Sequence, residues 1–155
     1  MKRIINEMKL RLPSRSANEA VARAAVSAFI AELNPTVEEL GDIRLAVSEA
    51  VTNSVVHAYR DVPEGEPAYI YISARIYDNR EVSVEISDNG CGIENIELAR
   101  TPSYTTGSYG ERCGMGFLIM ENLCDLLTVK SKVGKGTTVL LRKFLSPGGC
   151  DEGRN

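Results

Sequence analysis

Two neighbouring segments that alternate apolar and polar residues set the frame of the fold. Residues 68–77 read AYIYISARIY and residues 81–88 read EVSVEISD, with only Asp-Asn-Arg between them. Period-two alternation puts every second side chain on one face of a strand, so each segment predicts a strand with one buried face. The short polar connection predicts that the two strands form a hairpin.

Segments with helical periodicity precede this hairpin. Residues 16–34 predict a helix with Ser16 at its start, and residues 35–59 predict a second one. Thr36 followed three residues later by Glu39 is typical of a capping box at the start of that second helix. The predicted apolar stripe of the first helix contains Val21, Ala24, Ala25, Phe29 and Leu33.

The remaining segments complete the predicted element order. We expect a first strand near residues 7–12, a helix within 114–127, and a closing hairpin across 128–144. Strands in hairpins with helices between them predict an α+β fold, an α/β sandwich whose mixed, mostly antiparallel sheet carries helices on one face. The length fits one domain, which we expect to span residues 1–145, with a frayed polar tail at 146–155.

Composition and charge argue against several classes of function. A formal net charge of -3 weighs against direct binding of nucleic acid. No apolar run approaches the ~20 residues that span a bilayer, and the basic N-terminus lacks the apolar stretch of a signal peptide. The four cysteines are far apart, which disfavours zinc and a disulfide framework. We therefore expect reduced thiols in a cytoplasmic protein without membrane contact.

The second predicted helix carries an unusual row of polar residues. Glu49, Asn53 and His57 stand at steps of four within a segment that is otherwise suited to a core. Steps of four stack side chains on one helix face, so a carboxylate, an amide and an imidazole would lie in line. Alone, such a row is also typical of a solvated helix edge.

Two glycine-bearing turns are candidate ligand sites. Residues 88–92 read DNGCG, in which Asp88 accepts hydrogen bonds and the glycines permit close approach, although Asn-Gly also marks ordinary turns. Residues 105–117 read TTGSYGERCGMGF and lead into a helix, where backbone N–H groups and Arg112 suit phosphate oxygens. Alone, this second segment is equally consistent with a flexible surface loop.

The order of these motifs resembles the GHKL ATPase superfamily. EAVTNSVVHAY (residues 49–59) is similar to its N box, DNGCGI (88–93) to its G1 box, GERCGMGF (110–117) to its G2 box, and GKGTTV (134–139) to its last motif. Together they span roughly residues 40–140, and their joint order is specific where each alone is not. Within the superfamily the chain resembles the stand-alone bacterial anti-sigma factors that are also serine kinases, and most of all their sporulation branch.

The resemblance implies a role for each motif residue. Glu49 would be the catalytic base, Arg112 would neutralise charge on the γ-phosphate, and Asn53 would bind both the nucleotide and Mg²⁺. Asp88 would read the amino group of adenine in ATP or ADP. The further nucleotide-binding residues implied are Gly90, Gly92, Thr105, Thr106, Gly107, Gly110, Gly114, Met115, Gly116 and Thr137.

The resemblance also implies partners and a reaction. The branch holds an RNA polymerase sigma factor in the ATP state, here sigma-F. It phosphorylates a serine of an anti-anti-sigma protein and works as a homodimer. Three alternatives remain at this point. The chain could be a general-stress member of the same branch, an ATP-dependent sigma-binding module without kinase activity, or an ATPase that acts as a conformational switch.

Overall fold

The computed structural model describes residues 1–101 and 115–147. Within them, five strands alternate with four α-helices and two short turns of other helical type. In chain order the elements are β1 (Ile4–Pro13), α1 (Ala17–Ile30), a 3₁₀ turn (Ala31–Leu33), α2 (Val37–Asn53), a π turn (Ser54–Ala58), β2 (Tyr69–Tyr77), β3 (Glu81–Asp88), α3 (Ile96–Ala99), α4 (Gly116–Leu123), β4 (Leu126–Lys132) and β5 (Gly136–Phe144). The predicted order of the larger elements is confirmed.

The five strands form one sheet in the order β1-β2-β3-β5-β4. Every neighbouring pair among these described strands is antiparallel, so the predicted antiparallel character is confirmed. The register aligns apolar residues across the sheet: Ile72 faces Ile86, Ile86 faces Val139, and Val139 faces Val129. Because these side chains share one face, that face is the one the helices cover.

The core lies between that sheet face and the helices. Helix α2 packs against α1 and α4 and reaches β3 and β5, so it is the central helix of the layer. Its buried residues include Ile43, Val47, Ala50 and Val51, which recur at the spacing of one helix face. Within the ranges 1–101 and 115–147, no helix has the length and apolar character required to cross a membrane.

The predicted apolar stripe of α1 is confirmed at Phe29 and Leu33, which pack in or against the core, and is wrong at Val21 and Ala24. The fully buried positions are Ala22, Val26 and Ile30, whereas Val21 is nearly half exposed and Ala24 is exposed. Helix α1 is rich in alanine and valine on two adjacent faces, so periodicity alone supports two stripes. Contact with α2 and β2 selects the one that faces the core.

The opposite face of the sheet is left open by the described part of the chain. It carries charged side chains that pair across strands, such as Arg75 of β2 with Glu7 of β1 at 2.5 Å between Nε and Oε2. At one end of this face Glu81 is almost fully buried, because the Lys2 ammonium lies 2.7 Å from its carboxylate and Arg142 is nearby. We refer to this surface as the open sheet face.

The starts of α1 and α2 are capped differently. Thr36 accepts a hydrogen bond from the Glu39 N–H at 3.1 Å, while its own N–H donates to the Glu39 carboxylate at 2.9 Å. The predicted capping box is therefore confirmed. Ser16 occupies the N-cap position of α1, but its side chain makes no capping hydrogen bond.

This difference predicts unequal effects of two similar substitutions. Thr36→Ala removes the hydroxyl that accepts from the Glu39 N–H at the start of α2, so the free energy of unfolding in urea should fall by about 1 kcal/mol. Ser16→Ala removes no capping hydrogen bond, and its effect should stay within about 0.5 kcal/mol. Equal losses for the two variants would contradict the assignment of the cap.

Candidate active site

The C-terminal end of α2 and the N-terminal end of α4 meet at the polar row found in the sequence. A Cβ atom placed on Gly116 would lie 3.2 Å from the Asn53 amide nitrogen, 3.3 Å from the Glu49 carboxylate and 3.4 Å from the Asn53 amide oxygen. Glycine at this position therefore leaves open the space directly above these two side chains. Both side chains are half-buried, so they are reachable from solvent.

The start of α4 has the properties of an anion site. The first N–H groups of a helix lack partners within the helix and carry partial positive charge, which favours phosphate. Met115 is the N-cap residue of α4, and its side chain makes no capping hydrogen bond. Four predicted site residues thus come together here: Glu49, Asn53, Met115 and Gly116. We call this group the phosphate end.

A buried carboxylate defines the second part of the site. Asp88, the last residue of β3, is only 7% exposed. Its Oδ1 accepts hydrogen bonds from the N–H groups of Gly90 at 3.0 Å and Thr137 at 3.1 Å, and its Oδ2 accepts one from the Ser54 hydroxyl at 3.0 Å. Burial raises the pKa of Asp88 above its ordinary value, and these three hydrogen bonds oppose the rise.

The glycines of the 88–92 turn are packed against other backbone. A Cβ at Gly90 would overlap the carbonyl of Ala58, and one at Gly92, where φ is +76°, would overlap the carbonyl of Lys132. The Cys91 N–H donates to the same Ala58 carbonyl at 2.7 Å. These glycines therefore have a packing role in the described structure, and their approach to a flat ring stays a prediction.

The hairpin between β4 and β5 closes the other side of this turn. Gly136 has a φ of +111°, and a Cβ there would overlap the carbonyl of Asp88. The Ser131 hydroxyl accepts from the Ile93 N–H at 2.7 Å and lies 2.8 Å from the Thr137 hydroxyl. The Thr137 N–H thereby reaches Asp88, while its contact with adenine stays a prediction. We call Asp88, Gly90, Gly92 and Thr137 the base end.

The two ends of the site adjoin through consecutive residues of one segment. Asn53 closes α2 and belongs to the phosphate end, whereas Ser54 opens the π turn and contacts Asp88 of the base end. A π turn widens the helix locally and is frequent at functional sites. Six further predicted site residues lie outside the described part of the chain: Thr105, Thr106, Gly107, Gly110, Arg112 and Gly114.

Three residues of the site were missed by sequence reasoning. Ser54 and Ser131 are small polar residues whose importance comes from the groups they meet across the fold. The Tyr59 hydroxyl accepts from the Asn89 N–H at 2.9 Å and donates to the Tyr69 carbonyl at 2.5 Å. Burial raises the pKa of Tyr59, so the phenol stays neutral and keeps the proton it donates.

Comparison with known proteins identifies the class to which this fold and site belong. A family described as "Histidine kinase-like ATPase domain" matches residues 12–143. The structure also resembles the RsbU and RsbW domains of Rv1364c from Mycobacterium tuberculosis, with a TM-score of 0.63 and 23% identity. That match covers 90% of this chain and 32% of the other, and it shows the fold.

Closer relatives narrow the class. The anti-sigma F factor of Geobacillus sp. (strain WCH70) is 50% identical over 141 residues, which cover 91% of this chain and 94% of the relative. The anti-sigma F factor of Clostridium perfringens (strain SM101 / Type A) is 49% identical over 141 residues, which cover 91% of this chain and 98% of that relative. The chain therefore belongs to the histidine kinase-like ATPase domains and, within them, to the anti-sigma F factor family.

Gly116 gives a direct test of the phosphate end. Gly116→Ala would add a methyl group beside Glu49 and Asn53, so nucleotide affinity should fall about tenfold in a calorimetric titration, equivalent to about 1.4 kcal/mol. Gly41→Ala is the matched helical control, because nothing lies within 4 Å of its added Cβ. It should leave affinity unchanged and raise stability by up to about 1 kcal/mol. An unaltered affinity in Gly116→Ala would remove α4 from the site.

Proposed function

We propose that this chain is an anti-sigma factor and a serine/threonine protein kinase. It would bind and inhibit the sporulation sigma factor, sigma-F, in its ATP state, and phosphorylate a serine of the anti-anti-sigma antagonist with Mg-ATP. The observation that carries the proposal is the open space at Gly116, flanked by the Glu49 carboxylate and the Asn53 amide at the start of α4. The relatives' name supports the sigma partner.

Asn53 fits the magnesium site that the family implies. Mg²⁺ prefers oxygen ligands and keeps several waters, so one amide oxygen together with phosphate oxygens suffices. The amide of Asn53 borders the space that a Cβ on Gly116 would fill, with Nδ2 at 3.2 Å and Oδ1 at 3.4 Å from that Cβ position. When bound there, the ion would supply positive charge that neutralises phosphate oxygens during transfer.

Glu49 is one turn away and has the chemistry of a general base. In the proposed reaction the serine hydroxyl of the antagonist gives its proton to the Glu49 carboxylate. The serine oxygen then forms a bond to the γ-phosphorus of ATP. The bond between the γ-phosphorus and the oxygen that bridges it to the β-phosphate breaks, and ADP leaves. Positioning and charge stabilisation supply most of the catalysis of such transfers. Arg112 and the glycines of residues 105–114 complete the predicted phosphate contacts.

The base end would select adenine. Asp88 is buried and accepts hydrogen bonds, so it suits the exocyclic amino group of adenine and disfavours the carbonyl that guanine presents there. Thr137, Gly90 and Gly92 would line the same pocket. ATP should therefore be preferred over GTP.

The proposal extends to partners and setting. The first helices are the expected sigma-binding surface, and Glu19 of α1 pairs there with Arg23 at 3.2 Å and accepts from the Ser48 hydroxyl. We further propose one domain over residues 1–145, a tail at 146–155, and a cytoplasmic location without direct nucleic-acid or membrane contact.

A single assay tests the proposal and its two main residues. Purified protein, γ-labelled ATP, Mg²⁺ and the antagonist should yield antagonist labelled on serine. Glu49→Gln should keep ATP binding while phosphotransfer falls about 10²–10⁴-fold, because only the proton acceptor is lost. Asn53→Ala should instead weaken Mg-ATP binding itself, at least tenfold.

The outcomes separate the alternatives. ATP-dependent retention of sigma-F without labelled serine would indicate a binding module. Release of free phosphate without a protein acceptor would indicate a conformational ATPase. Retention of a general-stress sigma factor in place of sigma-F would assign the chain to the other branch. Wild-type transfer rates in Glu49→Gln would exclude that residue as the base.

A homodimer through the open sheet face also belongs to the proposal. Apolar side chains are exposed at one end of that face: Ile4 opposite Tyr77, Phe144 opposite Glu81, and Leu126 opposite Arg142. A second copy would cover these side chains and remove their apolar surface from water. The charges of both signs elsewhere on the face allow two copies to pair with each other.

Sedimentation velocity tests this interface. Phe144 is 54% exposed, and Phe144→Glu would bury a charge between the two copies, so dimer affinity should fall at least about tenfold. Val37→Glu changes an apolar residue that is 90% exposed at the start of α2, in the helix layer that covers the other face of the sheet. The control should remain dimeric. A dimer that withstands Phe144→Glu would place the interface elsewhere.

A further inference from the structure

We infer that Ser54 is a positioning residue that fixes the Asp88 carboxylate in the one orientation that receives an amino-bearing purine. This inference rests on the proposed function, because it concerns how the base end recognises ATP. Ser54 would act through Asp88 and not on the nucleotide directly. Discrimination between 6-amino and 6-oxo purines would then depend on the Ser54 hydroxyl.

The hydrogen bonds of Asp88 leave one acceptor position open. A carboxylate has about four lone-pair positions, two on each oxygen. In the part of the chain that the structure describes, Oδ1 receives two N–H groups, from Gly90 and Thr137, and Oδ2 receives the Ser54 hydroxyl alone. The remaining position is therefore on Oδ2, beside Ser54, and this is where the amino group of a purine would donate.

Ser54 is held so that its hydroxyl has little choice of partner. The residue is 6% exposed and opens the π turn directly after α2. A serine hydroxyl has one proton, and here that proton is donated to Asp88 Oδ2 at 3.0 Å. It is then not available to the 6-oxo group of guanine or hypoxanthine, and Oδ2 repels that group as well. Both effects favour adenine.

Loss of the hydroxyl should relax this selection for a physical reason. Without the hydroxyl, Oδ2 has lost its hydrogen-bond donor and only the two N–H groups on Oδ1 still orient the carboxyl group. Burial already raises the pKa of Asp88. The Ser54 hydrogen bond is one of the interactions that oppose this rise. A carboxyl group that is more readily protonated could donate to a 6-oxo group, which an ionised carboxylate cannot do.

The test compares two nucleotides in two proteins. ATP and ITP differ at the 6-position of the base, where ATP carries an amino group and ITP a carbonyl. In Ser54→Ala, ATP affinity should fall about tenfold while ITP affinity changes less than about twofold, so the ATP/ITP ratio should fall about tenfold. A role confined to packing would lower both affinities alike and leave the ratio unchanged.

Two further variants keep the result interpretable. Thr52→Ala removes the hydroxyl of a residue in α2, two positions before Ser54, that donates to the Ser48 carbonyl. The ATP/ITP affinity ratio of this variant should equal that of the wild type. Ser54→Thr retains the hydroxyl, so its ratio should stay near the wild-type value even where the added methyl group lowers stability. Thermal unfolding of each apo-protein shows that it is folded.

The outcomes distinguish this inference from the proposed function. A wild-type protein that binds neither nucleotide would overturn both. Suppose that the wild type prefers ATP and that Asp88→Ala loses this preference. An ATP/ITP ratio in Ser54→Ala equal to the wild-type ratio would then overturn the role of Ser54 alone. A ratio that falls in Ser54→Ala and stays high in Ser54→Thr supports it.

Discussion

The buried carboxylate of Asp88 holds three elements together at the edge of the sheet. It ends β3, accepts a side-chain hydrogen bond from the π turn after α2, and accepts a backbone hydrogen bond from the start of β5. Because an unpaired carboxylate at 7% exposure would be costly, its acceptor positions require these partners. The glycines at 90, 92 and 136 exist beside it because backbone passes against backbone there.

This arrangement explains how one helix serves two kinds of chemistry. Helix α2 is central in the core, and its last turns carry Glu49 and Asn53 to the start of α4. The next residue, Ser54, turns to Asp88. A rigid, well-packed helix holds such groups more accurately than a loop does, and accurate placement is what phosphoryl transfer needs most.

Much of the fold could be predicted, and the errors have physical causes. Period-two alternation identified β2 and β3, and Thr36 with Glu39 identified the start of α2. The first half of the α1 stripe, at Val21 and Ala24, was misplaced because alanine and valine lie on two faces, and only contact with α2 and β2 selects one. In the site, long-range order of motifs indicated Glu49, Asn53 and Asp88, whereas Ser54, Tyr59 and Ser131 carry no local pattern.

The sequence by itself determined the secondary structure, the family resemblance and the residue types of the site, because periodicity, caps and the order of motifs can be read along the chain without knowing which residues meet in space. Only the tertiary structure decided which glycines serve packing and that Gly116 meets Glu49 and Asn53. It also decided which oxygen of Asp88 keeps an open acceptor position among the described residues. Those facts depend on contacts between residues as many as 67 positions apart, since 116 − 49 = 67. No local pattern in the sequence shows that residues so far apart along the chain lie side by side. The packing of α2 against α4 and the sheet brings them together.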